Sequence, residues 1–275
     1  MKALNTVLII IIFISNAMSQ TNGKYATVNG LKMYYEIHGK GYPLVLIHGG
    51  GSTIETTFGR VLPDLAKQHQ VIAVELQAHG RTADIDRALS FDHDASDVAA
   101  LLKQLGISKA DIFGFSNGAS TALTLAIKYP ELVNKIIVAS TMYKKSGAYP
   151  WLWEMMKTPS FDQMPKQLKE GFLAVNPDEN ALLSSYKRDV TRMQSFTDMN
   201  EEDIKGIKAP TLIIAGDKDV VTPEHAVEMS RQIPDARLLI WPGGHGDYIG
   251  EITTATANDG YYPVLSAIEE FLKEK

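Results

Sequence analysis

One stretch constrains this chain more than any other: Ile112-Phe113-Gly114-Phe115-Ser116-Asn117-Gly118-Ala119-Ser120. An apolar run enters a Gly-x-Ser-x-Gly pentapeptide, and small residues leave it toward a helical pattern. A serine on a sharp strand-to-helix turn needs a strained backbone and neighbours without bulk. Gly114 and Gly118 supply those neighbours. Such a turn lifts the Ser116 hydroxyl clear of a sheet and sets it near the positive end of the following helix. A strand pattern before it and a helix pattern after it make Ser116 a candidate nucleophile rather than part of an ordinary turn.

The rest of the chain reads as scaffolding for that turn. Tyr25 to Val28 and Lys32 to His38 are short β-forming runs joined by Asn29-Gly30, a hairpin signal. Continuous apolar runs follow at 43–47, 71–74, 112–115, 133–139, 211–215 and 237–241, as expected of strands covered on both faces. Helical patterns alternate with them at 58–68, 91–105, 117–129, 223–233 and 263–273. Val98, Leu101, Leu102 and Leu105 fall on one face of the second of these. The order predicts an α/β fold, a mostly parallel eight-stranded sheet with helices on both faces. Residues 144–205 break the alternation. This stretch is rich in Met, Trp, Tyr, Lys and Asp, is punctuated by four prolines, and reads as a helical cap over the strand ends. The expected organisation is a leader over 1–19, a core over 20–143 and 206–275, and a cap over 144–205.

Composition narrows the chemistry. The net charge of −5 comes with no basic run, so nothing supports nucleic-acid binding. The chain has no cysteine, which excludes disulfides, a thiolate nucleophile and cysteine-ligated zinc. Lys2, the apolar run Val7 to Ile14 and the small residues Ala17 and Ser19 form a secretory leader pattern with a cut before Gln20. The run is shorter than the about 20 residues that span a bilayer. A secreted or periplasmic protein with no stable membrane anchor after cleavage is expected.

A serine hydroxyl needs a base to take its proton, and histidine has the pKa nearest neutral. Among seven histidines, His38, His69, His93 and His225 lie in unpunctuated segments and are expected on the surface. His48 sits in a glycine loop and His79 in the loop after a strand. His245, in Pro242-Gly243-Gly244-His245-Gly246-Asp247, follows the last strand on a flexible loop and is the preferred base. An orienting carboxylate should come from Gly216-Asp217-Lys218-Asp219 at the end of another strand. Asp219 is preferred; Asp217 can instead cap the turn, and Asp247 is too near His245 in sequence. Two backbone N–H groups should receive the negative charge that develops on the substrate oxygen. Asn117 follows the nucleophile, and Gly50 belongs to His48-Gly49-Gly50-Gly51 after a buried strand.

These segments, with Gly80-Arg81 between them, occur in the order seen in the α/β-hydrolase superfamily. The chain resembles its small single-chain members with a helical cap: lactonases, esterases and the cofactor-free serine haloperoxidase group. The likeness runs from about Tyr25 to Lys273. The superfamily often shows an Asp-x-x-Gly-His-Gly-like loop after the fourth strand; here it reads Glu75-Leu76-Gln77-Ala78-His79-Gly80, with Ala78 where glycine is usual. Dehalogenases of this fold use an aspartate nucleophile, which Ser116 argues against. The resemblance implies a serine hydrolase acting on a small-molecule ester or lactone, with Ser116, Asp219 and His245 as triad and no metal or organic cofactor. Carbon–carbon bond hydrolysis or perhydrolysis on the same triad is an alternative, and a binding protein without turnover is another. Trp151 and Trp153 in the cap are expected to line the substrate pocket.

Overall fold

The computed structural model describes residues 23–254 and 262–274. The expected leader over 1–19 lies outside the described residues. β1 (Gly23–Val28) and β2 (Leu31–His38) form the anticipated hairpin, with Asn29 at φ 49° and Gly30 at φ 84° in its turn. β3 (Tyr42–Ile47) is followed by α1 (Ile54–Phe58) and α2 (Leu62–Leu65), then β4 (His69–Val74) and α3 (Phe91–Gln104). β5 (Ala110–Phe115), α4 (Asn117–Lys128) and β6 (Val133–Ala139) come next. The segment before β7 (Thr211–Gly216) holds α5 (Pro150–Lys157), α6 (Lys166–Val175), α7 (Glu179–Gln194) and α8 (Glu201–Lys205). α9 (Pro223–Gln232), β8 (Ala236–Trp241) and α10 (Val264–Lys273) close the chain.

The eight strands form one sheet in the order β1-β2-β4-β3-β5-β6-β7-β8. β2 runs antiparallel to both β1 and β4, and every other pairing is parallel. Strand order reverses at β3, which lies between β4 and β5. Open α/β sheets form their ligand crevice beyond the carboxyl ends of strands at such a switch point. Here Ile47 pairs with Gly114, so the glycine loop after β3 and the serine turn after β5 emerge side by side.

Every residue of β5 and β7 is buried, as expected of parallel strands covered on both faces. Successive residues point to opposite faces. Ile112 therefore joins the cluster under α3, α4 and α9, with Leu101, Leu123 and Met229. Phe113 joins the cluster under α1, α2 and α10, with Phe58, Leu62 and Ile268. The cap has a small core of its own in Met164, Phe172 and Leu182. Among the described residues no helix is long and apolar enough to cross a membrane.

Two local expectations need correction. The helix expected over 58–68 is only the short α2 (Leu62–Leu65), and a separate helix, α1, ends at Phe58 where it was expected to start. Thr53 caps α1 with a reciprocal box to Thr56, Gly59 ends it, and Pro63 fits only in the first turn of α2. His69 and His225 are buried rather than on the surface. His69 reaches Glu269 of α10 at 3.1 Å, and His225 accepts from the Tyr143 N–H at 3.2 Å beneath its ring. Both positions look unremarkable in sequence because their partners are 200 and 82 residues away.

Candidate active site

Ser116 sits between β5 and α4 at φ 54° and ψ −121°, a backbone that side-chain-bearing residues seldom adopt. The flanking glycines are steric requirements. A Cβ on Gly114 would lie 2.2 Å from the Gly118 carbonyl oxygen, and one on Gly118 would lie 2.1 Å from that of Ile47. The glycine loop crosses this turn. A Cβ on Gly49 would come within 3.4 Å of the Ser116 Cβ, and one on Gly50 within 2.4 Å of the Asn117 side-chain Nδ2.

The loop's N–H groups are used unequally. Gly49 donates to Thr57 Oγ1 at 3.3 Å, and Gly51 donates to Asp189 Oδ2 at 2.5 Å. Among the described residues the N–H groups of Gly50 and Asn117 have no protein acceptor. Both residues border the same cavity as Ser116. Unspent backbone donors facing a cavity beside a serine can stabilise a developing oxyanion.

His245, on the loop after β8, borders that cavity too and packs on the Phe115 ring. Its Nδ1 is 2.6 Å from Asp219 Oδ1, so Nδ1 carries the proton and donates to the carboxylate. Nε2 has no protein partner among the described residues. Asp219 is buried at the end of the turn after β7. Its oxygens also accept from the N–H groups of Val220 at 2.6 Å and Gly216 at 3.1 Å, and from the Ser140 hydroxyl. Burial pushes this carboxyl up, and His245, Ser140 and the Gly216 N–H together hold it below the ordinary carboxylate value. Burial pulls His245 down, and the Asp219 carboxylate, with Glu251 adding to it, lifts it above the ordinary imidazole value.

The rival carboxylates go elsewhere. Asp217 accepts from the Gly243 N–H at 2.8 Å, tying the two loops together, and Asp247 accepts from the Gly244 N–H. Ala78 takes the left-handed conformation, φ 64°, that a glycine at this point of the loop would adopt more cheaply. For an alanine it costs about 1–2 kcal/mol.

The cavity has a volume of about 480 Å³, within the range of about 300–1,000 Å³ typical of small-molecule sites. Its walls are mostly apolar and come largely from the cap, including Leu152, Met156, Met193 and Phe196. Trp151 is part of this wall at the mouth, where it is 50% exposed. Trp153 is not. It lies two residues further along α5, packs on Phe196 at 5.8 Å between ring centres, and donates its indole N–H to the Lys145 carbonyl at 2.9 Å. Among the described residues no three His, Asp or Glu side chains are grouped to hold a metal ion.

Three features had no legible sign in sequence. Ser140, at the end of β6, is strained at φ 54° and donates to Asp219. Its oxygen then accepts from the Tyr248 hydroxyl at 2.6 Å. The third is a second imidazole–carboxylate pair. His79 Nε2 is 2.8 Å from Asp189 Oδ2, and its Nδ1 is 2.8 Å from the Gln77 carbonyl. Nδ1 stands against the Gln77 carbonyl and Nε2 against the Asp189 carboxylate, an arrangement that stabilises the imidazolium, while the Gly51 N–H also lies 3.3 Å from Nε2. Burial pulls its pKa down and Asp189 lifts it above the ordinary value. Asp189 Oδ1 accepts from Arg192, whose other terminal nitrogen donates to Asp94 at 2.8 Å. His48, its ring tilted against that of His79 at 4.9 Å between centres, donates from Nδ1 to the Gly49 carbonyl and accepts at Nε2 from the Leu76 N–H. It is neutral, pushed down to about 3 by burial and by the His79 charge.

Known proteins share this architecture. The chain is 27% identical over 241 residues to the human serine hydrolase BPHL, covering 82% of this chain and 80% of that one. It is 26% identical to a 2-hydroxy-6-oxo-6-(2'-aminophenyl)hexa-2,4-dienoic acid hydrolase of Metapseudomonas resinovorans, over 80% and 82% of the two chains. Its fold matches that of an enol-lactonase from Burkholderia xenovorans with a TM-score of 0.72 at 21% identity, over 91% of this chain and all of that one. A family model described as the alpha/beta hydrolase fold matches residues 42–185, from β3 through the serine turn and into the cap. That match takes in more than half of the chain, and with the switch-point sheet and hydrolase relatives it establishes a hydrolase of the α/β-hydrolase family.

Proposed function

We propose that the protein is a serine hydrolase that cleaves neutral esters or lactones of small molecules through an acyl-enzyme. The observation that carries this reading is the His245–Asp219 pair, whose remaining ring nitrogen is left for the cavity that Ser116 borders. Ser116 Oγ attacks the carbonyl carbon while His245 Nε2 takes its proton. The carbonyl electron pair moves onto oxygen, where the N–H groups of Gly50 and Asn117 receive it. Collapse expels the alkoxide, which leaves with the proton from His245. Water then attacks the acyl group by the same route, and Ser116 regains its proton. Asp219 holds the Nδ1–H tautomer and stabilises the imidazolium during each transfer.

The choice of a neutral substrate rests on the walls. A dienoic acid, as in the name of the Metapseudomonas relative, carries a carboxylate into its site. Among the described residues no Lys or Arg lines this cavity, whereas Asp189 does. An anionic acyl group would lose its hydration here without gaining a cation. The leader pattern in residues 1–19 supports export to a periplasm or to the outside of the cell.

A fluorophosphonate probe with mass spectrometry tests the nucleophile, and a panel of esters and lactones graded by acyl size tests the substrate class. Ser116 should be the labelled residue, and Ser116→Ala should neither label nor turn over substrate. Labelling elsewhere, or turnover confined to carboxylate-bearing substrates, would overturn the reading.

A further inference from the structure

We propose that Asp189, on cap helix α7, is a positioning residue for the oxyanion loop: it fixes Gly51 and so aims the Gly50 N–H into the cavity. The proposal builds on the serine-hydrolase reading above. It starts from the weakness of the loop itself. Three successive glycines have no strong backbone preference, so their geometry must be imposed from outside. Thr57 on α1 holds the Gly49 N–H, and Asp189 is the nearer acceptor of the Gly51 N–H, with His79 Nε2 a longer second contact at 3.3 Å. The free donor of Gly50 lies between these two anchors. An ideal Cβ on Gly50 would stand 3.3 Å from Asp189 Oδ2, so the carboxylate lies against this residue as well.

Asp189 is itself held by two further side chains. His79, on the loop after β4, donates to the same oxygen as Gly51, and Arg192, one turn along α7, donates to the other. Arg192 in turn reaches Asp94 on α3. Both carboxylate oxygens are thus occupied by internal donors, and Asp189 offers no ready site for a substrate cation.

Charge explains why the anchor needs such company. A bare carboxylate beside an oxyanion hole opposes the charge that the hole must stabilise. With His79 as imidazolium and Arg192 as guanidinium, two cations balance Asp189 and Asp94. The loop gains a strong acceptor for Gly51 without a net negative charge next to it. The cap therefore supplies more than the pocket wall: it sets the aim of one oxyanion donor from 138 residues away.

The test separates positioning from mere support of the fold. A trifluoromethyl ketone matched to a good substrate accepts Ser116 Oγ at its carbonyl carbon, sends the electron pair to oxygen and places that oxygen in the hole, with the serine proton on His245. Asp189→Ala should lower kcat about 10²-fold, the scale of a misplacement of about 1 Å, with a much smaller change in KM. Its affinity for the ketone should fall in step with kcat/KM. Asp189→Asn keeps an amide oxygen for Gly51 and should recover part of the loss. If the alanine variant does not fold, Asp189→Ser, too short to reach Gly51, carries the same expectation. A folded Asp189→Ala or Asp189→Ser protein that binds the ketone as tightly as the unmodified enzyme overturns the proposal. Failure of the unmodified enzyme to bind the ketone would instead sink the serine-hydrolase reading on which the proposal rests.

Discussion

Two imidazole–carboxylate pairs stand beside the cavity, each with one member in its wall: His245 and Asp189. His245 and Asp219 meet at 2.6 Å, His79 and Asp189 at 2.8 Å. In both pairs burial pulls the histidine down and the carboxylate lifts it. They differ at the second ring nitrogen. In His79 it donates to the Gln77 carbonyl; in His245 it has no protein partner among the described residues. A proton shuttle needs one nitrogen that can alternate between acceptor and donor. His79 has none to spare, so its pair serves as a charged bracket, while the other can serve as a base. Chemical likeness between the pairs says little about their roles; the atom facing the far nitrogen decides.

The sharpest way to break this comparison is to remove each histidine in turn. His245→Gln should lower kcat about 10⁶-fold, as removal of Ser116 should, because triad members act as a unit. His79→Gln should cost about 3–5 kcal/mol of stability, since it leaves part of a buried charge network unpaired. In the protein that remains folded, its effect on kcat should be only about 10–10²-fold, through the loosened bracket on Gly51. Steady-state rates normalised by active-site titration, with thermal unfolding alongside, give both numbers. Equal losses of rate in the two folded variants would erase the distinction.

The carboxylates allow a finer cut. Asp219→Asn should lower kcat about 10⁴-fold by favouring the wrong tautomer of His245. Asp217→Asn removes only the acceptor for the Gly243 N–H and should change turnover little. A reversed ranking would move the orienting role to Asp217. The pH profile adds a sign. His245 must be neutral to accept the serine proton, and its pKa is raised above the ordinary 6.5. Activity should therefore fall as pH drops through that raised value. In Asp219→Asn the lifting charge is gone, so the acidic limb of kcat/KM should shift to lower pH. A limb that stays in place would assign it to another group.

How much of this was legible in sequence follows from the range of each interaction. Period and punctuation located all eight strands: the six that pair in parallel show themselves in apolar runs of a few residues, and Asn29-Gly30 marks the hairpin of β1 and β2. The pentapeptide around Ser116 was legible for the same reason: Gly114 and Gly118 are demanded by contacts at the turn itself. His245 and Asp219 could be named as candidates because each follows a strand end that the fold must bring together. Other features depend on partners remote in the chain. Asp189 reads as one more charged residue on an amphipathic cap helix until α7 is laid over Gly51. Ser140 looks like an ordinary strand end until its hydroxyl is seen between Tyr248 and Asp219. The helix read over 58–68 was a local misreading. Gly59 and Pro63 were both visible, and together they end one helix and start another.

The smallest expected effect extends the same lesson, like residues with unlike surroundings, to the two tryptophans of α5. Trp151 and Trp153 are two residues apart, about 200° around a helix at 3.6 residues per turn, so they leave on nearly opposite sides. Trp151 borders the cavity at its mouth, with Met155 one turn further along and also exposed. Trp153 packs instead against Phe196, a member of the main core cluster, and its N–H is held by the Lys145 carbonyl. Truncating Trp151 should therefore leave stability nearly unchanged and weaken selection among acyl groups long enough to reach the mouth. One lost pocket contact is worth about 1–3 kcal/mol of discrimination. The shortest ester, whose acyl group stops near Ser116, should be hydrolysed at close to the original rate. Trp153→Ala should do the reverse: a lower Tm from lost packing and a lost hydrogen bond, with the order of esters by acyl size preserved in the folded enzyme. Rates on a graded series of linear acyl esters, set beside thermal unfolding of both variants, separate the two. If Trp153→Ala reorders the series and Trp151→Ala does not, the acyl group runs along the Trp153 side of α5, and the mouth is the exit for the alcohol.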